Sequence, residues 1–330
     1  MNRRDVLKSG LLATGGVFLS SGLVSFKSQS KHTRKERNIT LRLDIGELET
    51  YILSDGIINL DSVQPVFAPD IVSDLVTTEL KNLHLQSNKA EAGINVLLIK
   101  KEEKLILLDT GSGYHFGANA GKLLGALNEL GIEPTEITDI VITHAHIDHI
   151  GGILDKEDYF IFPSAKYYIA EQEFQFWMSE NPDFSKSKGA SSSDFSISFA
   201  RSVLTKIKGR LNFFQYGDVL FSCLKPELAE GHTLGHTIFK IFSGDKSIKH
   251  IVDTFHTQLL VANPEWGTQW DVDFDKAVKT RERIIKEGIN NKTLFMSCHL
   301  PWPGLGYIDK INDRFRWTIY PYFSPEQVSL

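Results

Sequence analysis

The segment Thr143-His144-Ala145-His146-Ile147-Asp148-His149-Ile150-Gly151-Gly152 constrains this chain more than any other stretch. The apolar run Ile137 to Ile142 leads into it and reads as a buried strand. In an extended segment alternate side chains share a face, so His144 and His146 can grip one ion together. The chain then turns at Asp148-His149, and two adjacent residues cannot both point where the first pair points. They suit a second ion a few ångströms away. Imidazole with one carboxylate is ligand chemistry for zinc, with iron and manganese as alternatives. A polar loop rich in histidine is the plainer reading. With 11 histidines in 330 residues, so dense and regular a cluster is rare by chance, and the metal reading prevails.

A chain of this length buries a substantial core, as one large or two modest domains. Its 42% hydrophobic and 23% charged residues are ordinary for a soluble globular protein. The net charge of −5 and a pI near 6.1 argue against a nucleic-acid surface, which carries a basic excess. Cys223 and Cys298 are the only cysteines, too few for a disulfide framework or a thiolate zinc site, and they read as small buried hydrophobes.

Residues 1–38 read as an export signal and linker, and residues 39–330 as one catalytic domain. Arg3-Arg4, with Val6 and Lys8 close behind and a weakly apolar run from Leu11 to Val24, resembles a twin-arginine signal. That run is too short and interrupted for a stable membrane span. The expected location is periplasmic or secreted.

Beyond residue 39 the pattern alternates strands and helices. Strands are expected over 39–43 and 49–58, with Asp55-Gly56 as a turn between strands. A hairpin is expected over 94–109, and an amphipathic helix over 117–130 stopped by Gly131. Ser179 to Ser198 reads as a polar surface loop and a candidate lid. Helices are expected over 199–211 and 274–287, and strands over 219–224, 228–230, 238–242, 250–252 and 293–297. Helices covering the outside of two packed sheets accommodate this alternation.

One layout recurs: an apolar strand delivers a histidine or aspartate at its end. It happens at Asp109, His144, His232, Asp253 and His299. These five positions, with the His144-x-His146-x-Asp148-His149 cluster and Gly231-His232-Thr233, resemble the ordered motifs of the metallo-β-lactamase superfamily. The resemblance implies an α+β fold, an αββα sandwich of two mixed sheets with metals on one edge. It implies two zinc ions per chain. His144, His146 and His232 would hold one, Asp148, His149 and His299 the other, and Asp253 would bridge both. Asp109 would orient a ligand imidazole from behind. His236 reads as a packing residue rather than a ligand, and His256 as one that looks into the pocket.

Within the superfamily, the export signal, the strand 95–99 and the segment 299–306 are similar to the exported methyl parathion hydrolase-like and N-acyl homoserine lactonase-like branch. There aromatic residues line the pocket, and Phe116, Trp177 and Phe195 stand at comparable offsets. The implied activity is metal-dependent hydrolysis, lactonase-like or organophosphate hydrolase-like. A metal-bridging hydroxide attacks the carbonyl or phosphoryl centre of a neutral hydrophobic ester, lactone or phosphotriester. Asp148 and Asp253 serve this chemistry by offsetting cationic charge, and Asp253 also by orienting the nucleophile. The expected partner is a small molecule, with no nucleic acid; a homodimer is left open. The alternative is a redox diiron protein or another non-hydrolytic metal-binding member of the same fold. In the diiron branch a carboxylate usually replaces the second cluster histidine, and here that residue is His146.

Overall fold

The computed structural model describes residues 39–329 apart from 190, 192 and 324–326. The export signal and linker expected over residues 1–38 lie outside the described residues. The first sheet contains β1 (Thr40–Ile45), β2 (Leu48–Leu60), β3 (Ala90–Lys101), β4 (Lys104–Leu108), β5 (Asp139–Ile142), β6 (Lys166–Ala170) and β7 (Leu211–Phe214). The second contains β8 (Leu224–Leu228), β9 (Thr237–Ser243), β10 (Lys246–His250), β11 (Phe295–Met296), β12 (Leu305–Ile311) and β13 (Arg314–Ile319). A last strand, β14 (Gln327–Ser329), returns to the first sheet and pairs parallel with β1. The strand orders are β14-β1-β2-β3-β4-β5-β6-β7 and β13-β12-β11-β10-β9-β8. The first sheet is mixed: β1 to β4 run as an antiparallel meander, and β4 to β7 are parallel neighbours.

The period-two pattern of these strands sorts their side chains into layers. On β3, Leu97 and Ile99 pack between the sheets with Phe239, Ile241 and Met296 of the second sheet. Val96 and Leu98 point the other way, against Leu123 and Leu127 of α2 (Leu123–Glu129). That outer layer is continued by α4 (Glu171–Met178) and α5 (Ser193–Ile207). The outer face of the second sheet is covered by α1 (Ser73–Asn82), α6 (Gln258–Ala262) and α7 (Phe274–Asn291), through Val76, Leu80, Leu259 and Ile284. The result is the αββα sandwich that the sequence predicts.

Local expectations needed correction where side-chain contacts outweigh turn chemistry. Asp55-Gly56 is not a turn between strands; it lies inside β2, at a register shift between Ser54 and Gly56. The buried Asp55 carboxylate accepts hydrogen bonds from Ser112 N and Oγ, Gly121 N and Leu123 N, at 2.8–3.2 Å. It thereby splits the expected 117–130 helix, leaving a short 3-10 turn at Gly117–Asn119 and then α2. Residues 219–223 form a turn rather than a strand. Residues 252–254 form a 3-10 turn after β10. The end of the expected lid is helical: α5 begins at Ser193, fourteen residues after Ser179 opens the segment, and takes in its last six residues.

Candidate metal centre

Each conspicuous His or Asp leaves a strand end and enters the same rim. Asp109 follows β4 with a left-handed φ of 67°. Its carboxylate accepts from Thr143 N and Thr143 Oγ1, each at 2.8 Å, and from His149 Nδ1 at 2.8 Å. One carboxylate therefore fixes the start of the cluster and one of its rings. β5 ends at Ile142 and delivers His144; His146 precedes the single turn α3 (Ile147–Ile150), which carries Asp148 and His149. Gly152 is demanded by contact, because a Cβ there would stand 2.1 Å from Thr110 O.

Two groups of four potential ligand atoms result. His144, His146, His232 and Asp253 form one; Asp148, His149, Asp253 and His299 form the other, with the atoms of each group within 4.8 Å of one another. Asp253 belongs to both. Its Oδ2 lies 3.6 Å from His144 Nε2, 3.2 Å from His232 Nε2 and 2.8 Å from His299 Nε2. Its Oδ1 lies 3.2 Å from His149 Nε2, yet without hydrogen-bond geometry, so both of these buried atoms are left without a partner.

This donor set fits metal ions. His146 Nδ1 faces His144 Nε2 at 3.1 Å and His232 Nε2 at 2.9 Å. Three ring nitrogens aimed at one point cannot satisfy one another, since a neutral imidazole has one donor and one acceptor. A cation at that point satisfies all three. Burial and the neighbouring His149 hold the pKa of His144 well below the ordinary histidine value, and burial with His232 does the same for His146. Neutral rings of this kind are ready ligands. Burial opposes protonation of His232, but its hydrogen bonds to the carboxylates of Asp253 and Asp271 carry its pKa up to about 9. Burial also opposes ionisation of Asp253, and the surrounding histidines, His149 first, reverse that and hold its carboxyl well below the usual range.

Three of the rings are held from behind. His149 Nδ1 donates to Asp109, and His299 Nδ1 donates to Gly93 O at 2.6 Å. His232 Nδ1 lies 3.2 Å from Asp271 Oδ1, and Asp271 Oδ2 in turn accepts from Arg281 of α7 at 3.0 Å. Asp271 and Arg281 are both wholly buried. His236 uses both nitrogens elsewhere, donating through Nδ1 to Ala229 O at 2.9 Å and accepting from Asp253 N at 3.2 Å. It packs and orients rather than ligates.

Glu173 was not singled out by the sequence. Wholly buried on α4, its carboxylate accepts from Ala145 N, Trp177 Nε1, Thr233 Oγ1 and Gly235 N, at 2.6–3.0 Å. Burial raises its pKa, and the four donors work against that rise. It ties the His144–His146 segment to the loop that carries His232. Neither Glu173 nor Asp271 has a motif around it; an acidic residue among aromatics on α4 was the one visible signal for Glu173.

A cavity of about 670 Å³ opens onto both groups, reaching His146, Asp148, His232, Asp253 and His299. Phe116 and Phe195 line it, as the sequence predicts. Trp177 does not. It is wholly buried, its indole N–H is committed to Glu173, and its ring packs edge-on behind His146 at 5.6 Å. The corrected aromatic wall includes Phe184, Phe199 and Trp270. From the expected lid, Ser187, Gly189, Ser191, Ser193, Asp194, Phe195 and Ser196 line this cavity. They are anchored: Lys186 pairs with Asp273 at 3.2 Å, and Arg201 donates to Trp177 O at 3.0 Å and to Glu180 O at 3.1 Å. His256 lines it too, buried, with Nε2 3.4 Å from Asp253 Oδ2 but without hydrogen-bond geometry, and with Nδ1 lacking a hydrogen-bond partner. Burial pushes its pKa down to about 4.

A family model described as the Metallo-beta-lactamase superfamily matches residues 91–299, the span that carries both groups. The chain belongs to this superfamily. Among solved structures, one similar to this superfamily member is AidC, a dizinc quorum-quenching lactonase in complex with a product. It is 33% identical with a TM-score of 0.82, over 87% of this chain and 100% of that one. Another is AbOPH, a hydrolase in the beta lactamase superfamily, 26% identical with a TM-score of 0.77, over 86% and 98% of the two chains. Among curated relatives, Metallo-beta-lactamase domain-containing protein 1 of Homo sapiens is 37% identical over 70 residues, 21% of this chain. The match spans about a quarter, 25%, of that relative's length. Ligand cluster, superfamily and similar solved hydrolases together support metal-dependent hydrolytic chemistry at this site.

Proposed function

We propose that the chain hydrolyses neutral, hydrophobic lactones, esters or phosphotriesters with two zinc ions in place. The observation that carries this reading is the aromatic cavity opening onto two ligand groups that share Asp253. His144, His146 and His232 would hold one ion, Asp148, His149 and His299 the other, with Asp253 common to both. Divalent ions there supply Lewis acidity toward a carbonyl or phosphoryl oxygen and lower the pKa of water toward neutrality. Zinc suits imidazole-rich sets of this kind.

The chain's own residues do the rest. Asp148 and Asp253 bring two negative charges that offset the cations. Asp109, Gly93 and Asp271 hold three rings with their second nitrogens facing the centre, so no reorientation is needed as the reaction proceeds. The wall of Phe116, Phe195, Phe199 and Trp270 excludes water and binds an apolar group beside the reacting centre. Among the described residues no lysine or arginine lines the cavity, which disfavours a multiply charged substrate such as a glutathione thioester.

The test is elemental analysis of purified protein, combined with hydrolysis of lactones, aryl esters, aryl phosphotriesters, β-lactams and glutathione thioesters. Two zinc ions and fastest turnover on a neutral lactone or phosphotriester are expected. Fastest turnover on glutathione thioesters would overturn the substrate assignment. Arg3-Arg4 further supports export of the folded protein to the periplasm, and changing both to lysine should retain it in the cytoplasm.

A further inference from the structure

The second sheet carries charge that the metal chemistry does not use. Lys225 of β8, Lys240 of β9 and Lys249 of β10 stand directly opposite one another across three antiparallel strands. Like charges in that register destabilise a sheet unless something neutralises them. One of the three is neutralised. Lys249 is buried and pairs with Glu227 at 2.9 Å and with Glu287 of α7 at 2.6 Å. Glu227 also pairs with Arg283, so both carboxylates are already engaged. Among the described residues, the side chains of Lys225 and Lys240 have no ion pair or hydrogen bond.

These lysines line a cavity of about 750 Å³, at the end of β10 opposite to the one that leads into Asp253. The strand β11 is two residues long and pairs with Lys249 and His250, which leaves residues 246–248 of β10 without a strand on that side. The cavity lies there, bounded by the end of α7 and by Tyr307 and Tyr320. Lys246 and Lys292 join its lining, again with no carboxylate partner among the described residues. Asp245 is the one lining carboxylate that no lysine holds. Four uncompensated ammonium groups against one free carboxylate make this hollow cationic, on a chain whose net charge is −5. Two plainer accounts cover part of the pattern. Lysine on an edge strand discourages edge-to-edge pairing, which serves for Lys225. A cation just past a helix C-terminus meets the helix dipole, which serves for Lys292. Neither reaches Lys240, on an interior strand between two other lysines.

We propose that this cavity binds a phosphate monoester, its anionic oxygens set among Lys225, Lys240, Lys246 and Lys292. Such a group carries close to two negative charges and three strong acceptor oxygens, so it engages several ammonium groups at once. A carboxylate brings one charge and two oxygens, too little for four lysines. Ser247, Asn291 and Thr293 add neutral donors in the same lining. The organic part of the ester lies against Tyr307 and Tyr320, whose ring centroids are 6.1 Å apart. No residue of this cavity belongs to the ligand groups or lines the aromatic cavity, and no covalent step is involved.

The test is lysine acetylation of the metal-loaded full chain, read residue by residue by peptide mass spectrometry. The probes are glycerol 3-phosphate and phosphatidic acid vesicles, matched by acetate at equal ionic strength and by phosphatidylcholine vesicles. Reading single lysines separates this cavity from phosphate held at the metals, because no lysine lines the aromatic cavity. A phosphate probe should slow labelling of Lys225, Lys240, Lys246 and Lys292 relative to the exposed Lys208, and its matched control should not. Slowing by glycerol 3-phosphate identifies a soluble ester, and slowing by phosphatidic acid alone identifies a lipid headgroup; either supports the site. Lys240→Gln and, independently, Lys246→Gln should raise the probe concentration needed to protect Lys292 about tenfold, the worth of one hydrogen bond to a charged group. Both positions are exposed, so each variant keeps the fold, and either one decides the matter without the other. If neither phosphate probe slows labelling, or the controls slow it equally, the cavity is a solvated basic face and the proposal is overturned. Unchanged protection in both variants overturns it as well.

Discussion

The two ligand groups share Asp253 and are supported in different ways. The group with Asp148, His149 and His299 contains two carboxylates, and its rings are held by Asp109, just past the end of β4, and by the Gly93 carbonyl of β3, both supported by the first sheet. The group with His144, His146 and His232 contains one carboxylate. It is held through Asp271, itself paired with Arg281 of α7, and through Glu173 from α4, on opposite outer layers. The first group thus leans on one rigid sheet, whereas the second spans the sandwich. The carboxylate-poor, imidazole-rich group suits zinc best, while the carboxylate-rich one is more tolerant of harder cations such as manganese.

The largest expected effect erases the distinction. Asp253→Ala removes a ligand from both groups, and activity should fall on the order of a thousandfold, with both ions lost by elemental analysis. Retention of two tightly held ions would break the shared-carboxylate account. His146→Ala opens one group alone, so one ion should remain while activity falls about a hundredfold. A variant that keeps full turnover would contradict the assignment of His146.

A finer cut compares the supporting carboxylates. Asp109→Asn should weaken the ion of the carboxylate-rich group about 10–100-fold, and Asp271→Asn the ion of the other, each leaving its neighbour nearly intact in metal titrations. Only Asp271→Asn should also lower thermal stability strongly. It breaks a buried ion pair with Arg281, a loss of about 3–5 kcal/mol. Equal losses at both ions from either variant would dissolve the division of labour. The smallest effect belongs to Phe195→Ala, at a side chain 63% exposed on the cavity rim. It should leave both ions in place and raise KM for aryl substrates a few-fold, about what partial loss of one apolar contact is worth. Trp177→Ala, by contrast, should cost about 3–5 kcal/mol of stability, because it empties a core position.

What the sequence discloses and what it conceals follow the same division. The layered fold and the rim residues were legible because each comes from a short local pattern, an apolar strand followed at once by His or Asp. The supports of the imidazole-rich group were not legible. Asp271 lies 39 positions from His232, and Glu173 lies 60 from Thr233, with no periodicity linking them. Asp55 looked like a turn because Asp-Gly favours turns. Its carboxylate instead organises a loop 57 residues away, which no local rule can show. Trp177 was placed in the pocket wall by its offset from the cluster. The face of α4 it occupies is decided by Glu173, four residues earlier on the same helix.

The strands that end the two sheets carry a consequence for the protein at high concentration. An edge strand offers unpaired backbone groups to a neighbouring molecule and invites edge-to-edge aggregation. Here β14 and β7 close the first sheet with three and four residues, too little template for stable pairing. In the second sheet β8 carries Pro226, which has no N–H to donate, and β13 presents the exposed Arg316, whose charge repels a second copy. A sandwich with edges blunted in this way can be concentrated without its sheets growing from one molecule into the next.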